Sequence, residues 1–168
     1  MKTQVATLLA AVLLLSGCGY KLGEIRPTPM RSVRSLAVPN FKNRTYEIRI
    51  DVLFADTLVK RLQQDGTYRI APSETADAIL NCTIIKIERN GIRSVQNDVL
   101  ATSEFALRVF ADYEVQDRVT GAILVKGQAV GATTFFSGND LTTIERQALS
   151  NAASNLANNI AVEITEGW

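Results

Sequence analysis

Two thiols and no imidazole set the limits of the chemistry this 168-residue chain can perform. Without histidine, neither a Ser-His-Asp nor a Cys-His arrangement can be assembled, and the commonest general base and metal ligand are both missing. The carboxylates are scattered singly; Asp112 and Glu114 share a strand face, as alternating polar residues on a solvated sheet do. No glycine-rich phosphate loop precedes a helix. Catalytic residues, metal ligands and a bound cofactor are all expected to be absent. Cys82 lies in the mostly apolar run Ala78–Ile85 and reads as a small buried thiol. That leaves the Cys18 thiol as the group placed for a reaction.

Cys18 closes Leu15-Ser16-Gly17-Cys18, directly behind Val5–Leu15, an eleven-residue stretch with one Thr and no charge or proline. The stretch is too short to span a bilayer and has the length of a secretory apolar segment, with Lys2 as its positive flank. A Leu, two small residues and a Cys in this place resemble the bacterial lipobox. In that pattern the thiol takes a diacylglycerol, the leader is cut before the Cys, and the new α-amine is acylated. Residues 1–17 are therefore expected to be a lipoprotein signal peptide and Cys18 the lipidation site. The alternative is an ordinary signal peptide with an incidental Cys. Gly19 in place of Asp resembles the sorting pattern for the outer membrane. Several acyl chains, at about 0.8 kcal/mol per buried CH₂, would make the attachment permanent.

The chain from Cys18 onward has 17 basic and 17 acidic residues and no net charge, which argues against general nucleic-acid binding. Seven basic residues stand between Lys21 and Arg49 against Glu24 and Glu47. Next to a lipid anchor, such a stretch is either a solvated tether or a segment drawn to anionic headgroups. With Cys18 carrying lipid, Cys82 stands alone and a disulfide framework is excluded.

Gly19, Gly23, Pro27 and Pro29 make residues 18–32 read as a lipidated, extended tether, with a single domain over 33–168. Val33–Val38 is a short strand stopped by Pro39. A helix is expected over Glu47–Gln64, where Ile50, Leu53, Phe54, Leu58 and Leu62 recur at helical spacing before Gly66. Tyr68–Ala71 is a short extended piece. Three long strands follow: Asp77–Glu88, Ser103–Gln116 and Ile123–Phe136, the second and third joined by a turn at Asp117–Gly121. Gly127 and Gly131 point to a bulge or strong twist in the last strand. Thr142-Thr143-Ile144-Glu145 fits a capping box opening a final helix with an apolar stripe along Ile144, Ala148, Ala152, Leu156, Ile160 and Ile164. Its Asn151, Asn155, Asn158 and Asn159 form a polar opposite face. The order gives an α+β two-layer sandwich, with two helices packed on one face of a four-stranded mixed sheet. The first strand should lie parallel to a neighbour and the later three should form a meander.

What remains is surface. Arg89–Thr102 is a long connection carrying Arg89, Ile92, Arg93, Val95, Val99 and Leu100, suited to a partner or a lipid. It fits equally a hairpin whose strands run further. Lys86, Arg108 and Lys126 lie on the long strands and could share the uncovered sheet face.

Several segments together resemble a family. Cys18-Gly19-Tyr20-Lys21-Leu22 looks like the start of the LptE-like lipopolysaccharide-assembly outer-membrane lipoproteins. Leu36-Ala37-Val38-Pro39-Asn40-Phe41-Lys42-Asn43-Arg44-Thr45-Tyr46 resembles that family's first strand and its Phe-x-Asn-x-Thr-Tyr loop. Ala76-Asp77-Ala78-Ile79-Leu80, Asp117-Arg118-Val119-Thr120-Gly121 and Glu145-Arg146-Gln147-Ala148 also fit, in order along the chain. The resemblance implies two helices on a four-stranded sheet. It also implies an outer-membrane lipoprotein, facing the periplasm, that plugs the LptD β-barrel, assists its assembly and binds lipopolysaccharide. No motif assigns the lipid contacts. Arg89, Arg93, Arg108 and Lys126 are physical candidates, because guanidinium and ammonium groups pair with phosphates and sugar acids. A second reading is an outer-membrane lipoprotein that activates a peptidoglycan synthase or builds a secretion pore. Against it, the strands look core-facing, and the roughly fourteen residues after Cys18 reach only ~45–50 Å.

Overall fold

The computed structural model describes residues 26–95, 98–138 and 140–167, and side chains within these except at residues 94–103. The signal peptide, the lipobox with Cys18, and the tether up to residue 25 lie outside the described residues.

Alternation of apolar and polar residues builds the sheet. Strand β1 (Ser35–Ala37) is buried throughout. Pro39 interrupts it, and the same edge resumes as β2 (Lys42–Asn43); both run parallel to β4 (Ala78–Val95). β3 (Arg69–Ile70) pairs parallel with β1 on its other side. β4, β5 (Asp98–Asp117) and β6 (Ile123–Phe136) form the expected antiparallel meander. The order is β3-β1-β4-β5-β6, with β2 also on β4. The sheet therefore has six strands rather than four. The loop expected after Pro39 contributes a two-residue strand, and the short extended piece after the first helix joins the edge.

The connection read as a loop over Arg89–Thr102 is instead the stem of a hairpin, paired from Arg89↔Leu107 to Val95↔Asp98. Its Gly and Asn obscured the alternation, and four shifts of register interrupt the β4–β5 pairing, one at Ile85 and three between Gly91 and Val95. Ile85 is the extra residue between Ile84↔Ala111 and Lys86↔Phe110. A single extra residue exchanges the faces of everything after it. Ala78, Leu80, Cys82 and Ile84 face the helices before the bulge, and Ile87, Arg89 and Gly91 face them after it.

Helix α1 (Ile50–Asp65) buries Ile50, Phe54, Ala55, Leu58 and Leu62 and ends at Gly66, φ 76°, whose N–H donates to Leu62 O. It starts three residues later than expected because Arg49 adopts a left-handed conformation, φ 62°. The preceding loop is self-bonded: Asn43 accepts from Thr45 N (2.8 Å) and donates to Glu47 O (2.6 Å). Helix α2 (Leu141–Glu166) lies on β5 and β6, with Ala148, Ala152, Ala153, Leu156, Ala157, Ile160, Ala161 and Ile164 buried. Its N-cap is Asp140, which accepts from Thr143 N at 3.1 Å. The capping box at Thr142 does not form, and Glu145 turns elsewhere.

Gly127 and Gly131 make no bulge; the β5–β6 register is unbroken from Glu104↔Phe136 to Val115↔Val125. They serve close approach. A β-carbon on Gly131 would overlap Ala152 O and stand 2.8 Å from Leu156 Cβ, and one on Gly127 would strike the Tyr113 ring. The Asn row of α2 is not simply solvated either. Asn155 and Asn159 donate to Ala132 O (2.6 Å) and Val130 O (2.8 Å) on edge strand β6, and Asn158 accepts from Arg61 of α1.

The packed domain begins before Val33. Thr28–Met30 form a 3₁₀ turn and Met30 is fully buried. Arg26 stacks on Tyr68, 5.1 Å from the ring centroid, and donates to Val33 O and Thr67 O.

Candidate functional site

Strand direction gives the molecule two ends. One, the hairpin end, carries the β4–β5 tip, the starts of both helices and the loop after β2. The other, the entry end, carries the β5–β6 turn, both helix C-termini and Arg26, where the chain arrives from Cys18. The eighteen residues of β4 separate these ends by about 60 Å at ~3.3 Å per residue.

At the hairpin end the Ile85 bulge points Arg89 toward the helices. Its guanidinium bridges Glu145 near the start of α2 and Glu47 in the loop before α1. Partial burial opposes the Arg89 charge, but hydrogen bonds to the two carboxylates outweigh this and raise its pKa. Both helix N-termini lie here and favour the carboxylates electrostatically. One guanidinium therefore ties a strand to two helix starts. Beside it runs an open groove of about 990 Å³, lined among others by Ile48, Ile50, Leu53, Thr143 and Leu149. Its lining mixes these with the charged Glu47, Arg49, Glu145 and Arg146, and Ile48 is 85% exposed; Tyr46, Val52 and Leu141, close by in the chain, are exposed as well.

The uncovered sheet face separates by level. Near the hairpin, Lys86, Phe110 and Val130 form one row; Glu88, Arg108 and Ala132 the next; Arg93, Glu104 and Phe136 lie further out. Lys86 pairs with Glu88 and sits 5.9 Å from the Phe110 ring centroid. Arg93 lies 3.6 Å from Glu104, and Phe136 is exposed. Basic and apolar groups alternate here. Toward the entry end the face becomes polar, with Asp112 accepting from Gln128 and Glu114 opposite Lys126, before the last row of Ile79, Gln116 and Ile123.

The four candidate residues are thus not one cluster. Arg93 and Arg108 share the outer face of the hairpin stem, about 14 Å apart along the strand. Arg89 is on the inner face, engaged by two glutamates. Lys126 is six residues along β5 from Arg108's level, about 20 Å away. The exposed Tyr46 and Ile48 went unremarked in the sequence, where Tyr46 closes the loop after the first strand and Ile48 falls in the expected helix.

Asp77 is the organising residue of the entry end. Its carboxylate accepts from Arg34 N (3.0 Å), Ser35 N (2.9 Å) and Ser35 Oγ (2.9 Å), fastening the start of β4 to β1. The Arg34 amide, then the Ser35 hydroxyl, lower its pKa. Tyr113 donates across Gly127 to Glu163 of α2; burial first, and then that carboxylate, raise its pKa. Among the described residues, no group of three or more His, Cys, Asp or Glu could hold a metal ion. No helix there is long and apolar enough to cross a membrane.

A family model described as LptE, lipopolysaccharide-assembly, matches residues 33–164, which is most of the domain. The chain belongs to the LptE family. This is a family of non-enzymatic lipoproteins without a cofactor. The segments quoted for the resemblance from Leu36 onward fall inside the matched range, and the Asn43 staple and the Asp77 clasp give two of them a structural task. A comparison with curated proteins finds no match. Among solved structures, a minor lipoprotein from Acinetobacter baumannii is similar at TM-score 0.54 and 16% identity, covering 80% of this chain and 94% of that one. A PelC dodecamer from Paraburkholderia phytofirmans is similar at TM-score 0.50 and 20% identity, over 79% and 90%. At these identities the likeness establishes the shared fold.

Proposed function

We propose that this LptE-family protein is anchored in the outer membrane, at its periplasmic face, by diacylglycerol and an N-acyl chain on Cys18. From there it plugs and assists assembly of an LptD-type β-barrel and binds lipopolysaccharide on its way to the surface. The family match over residues 33–164 supports the assembly role. One observation supports the amphiphile: the upper half of the open sheet face interleaves Lys86, Arg93 and Arg108 with Phe110, Val130 and Phe136. Phosphates would meet the guanidiniums and acyl chains the apolar rows. Arg89 and Lys126 remain secondary candidates, the first already held by two carboxylates and the second remote from the apolar rows.

Affinity purification from detergent-solubilised membranes tests the partner. A stoichiometric large β-barrel is the expected result. Recovery of a peptidoglycan synthase, or of copies of this chain alone, would replace the reading. For the lipid, R93E with R108E should weaken lipopolysaccharide binding about tenfold or more, at ~1.4 kcal/mol per decade. Binding unchanged by that pair rejects this face as the contact.

A further inference from the structure

We infer that the entry end of the domain is a membrane-docking surface that meets phosphate-bearing lipid headgroups. This rests on the lipid anchor at Cys18 proposed above. Seven residues lie between Cys18 and Arg26, and the eight steps from one to the other span at most about 29 Å fully extended. Arg26 itself is fixed: it lies over Tyr68, and Tyr68 donates to Ile164 O near the C-terminus of α2. Pro27 abuts Gly167, where a β-carbon would come 3.1 Å from Pro27 Cγ. The domain therefore cannot turn far from the bilayer, and the end beside Pro27 is the one held toward it.

That end has the composition a headgroup layer selects. Arg34, Arg69 and Arg118 are exposed and stand on three neighbouring segments joined through backbone bonds, Arg69 N to Arg34 O and Arg118 N to Asp77 O, both 3.0 Å. Arg31 is exposed three residues before Arg34. The acidic side chains among them are occupied: Asp77 binds the backbone of β1, and Asp117 accepts from Val119 N, Thr120 N and Thr120 Oγ1 within the turn. Glu74 of the neighbouring loop and Glu166 at the end of α2 are the other exposed carboxylates here, against the four arginines. At the apex of the β5–β6 turn Val119 is 78% exposed, with Ile123 also exposed beyond it. An apolar tip with guanidiniums beside it and along the neighbouring strand ends matches the boundary between headgroups and acyl chains. Each Arg near an anionic surface adds to the attraction. The four act on a chain already tethered, so they orient the domain rather than recruit it.

The test uses the full acylated protein with an environment-sensitive fluorophore on V119C, and on I92C as the hairpin-end control; Cys82 is buried and escapes labelling. Phosphatidylethanolamine vesicles are compared with and without phosphatidylglycerol. Flotation with vesicles reads the anchor, and the emission shift reads the face. A blue shift at 119 but not at 92, larger with phosphatidylglycerol and lost at about 0.5 M salt, supports docking. R31E/R34E/R69E should abolish the shift while flotation persists; R31Q/R34Q is a milder variant if the triple reversal does not fold. Flotation without a shift at 119, or with a shift at 92 instead, overturns the docking surface and leaves the anchor standing. A protein that stays with the solvent removes the anchor, and the inference with it.

Discussion

Gly131 lies directly under the Ala152 carbonyl oxygen, so that α2 rests on β6 with no side chain between them. Gly131→Ala places its methyl into that oxygen and against Leu156 Cβ, and the helix must lift along its whole buried stripe. Overpacking against backbone is expected to cost about 3 kcal/mol, read as a fall in the midpoint of urea unfolding. A stability within about 0.5 kcal/mol of the parent would show that α2 sits elsewhere.

Gly127→Ala acts through a side chain instead. The new methyl displaces the Tyr113 ring and breaks its bond to Glu163. Tyr113 titrates above its ordinary value because of burial and that carboxylate. In the variant its ultraviolet titration should move back toward about 10. An unmoved titration would mean the ring stays in place.

Asp77 makes the fold sensitive to acid. Its folded pKa lies below the ordinary carboxylate value, so its contribution is complete above about pH 4 and is lost as pH falls through the folded value. Asp77→Asn should cost roughly 1 kcal/mol at pH 7, the figure kept small because the carboxylate is exposed. The gap between variant and parent should close toward pH 2. A gap that stays constant with pH would exclude the carboxylate charge as its source.

Breaking the Arg89 bridge should loosen the hairpin end locally. All three side chains are about one-third exposed, so the coupling between Arg89→Ala and Glu145→Ala should be about 1 kcal/mol or less. The larger effect is faster amide exchange in the loop before α1, residues 44–49. Unchanged exchange there would mean Glu47 alone does not hold the loop.

Cys82 should resist thiol reagents in the native state and react only on unfolding, since burial raises its pKa strongly. Cys18→Ala should abolish acylation and release the protein from the membrane, or leave it held by an uncleaved leader. Normal acylation in that variant would end the lipobox reading.

How much was legible in the sequence differs by element. The helices and the β5–β6 strands showed because Phe54, Leu58 and Leu62, or Leu107, Val109 and Ala111, repeat at one period over several turns or pleats. The hairpin stem did not, because the Ile85 bulge moves its apolar residues to the other face, so Arg89 falls where a core residue would be expected. Asp140 was passed over as N-cap because the Thr-x-x-Glu pattern two residues on is as good locally; the choice is made by Arg89, which takes Glu145 in the folded state. Of the basic candidates, residue type was readable and grouping was not. Whether Arg93, Arg108 and Lys126 meet depends on a register that only the paired strands fix.

The bonds from Asn155 and Asn159 to Ala132 O and Val130 O concern more than the helix that makes them. Two alternate carbonyls of the outermost long strand already accept from the helix, so an extended segment approaching there must compete with side chains for them. Growth of the sheet by self-association is disfavoured at this stretch, which holds no proline and no charge between Gly127 and Phe136. The outer edge of the domain can thus meet an extended chain without being readily drafted into its sheet.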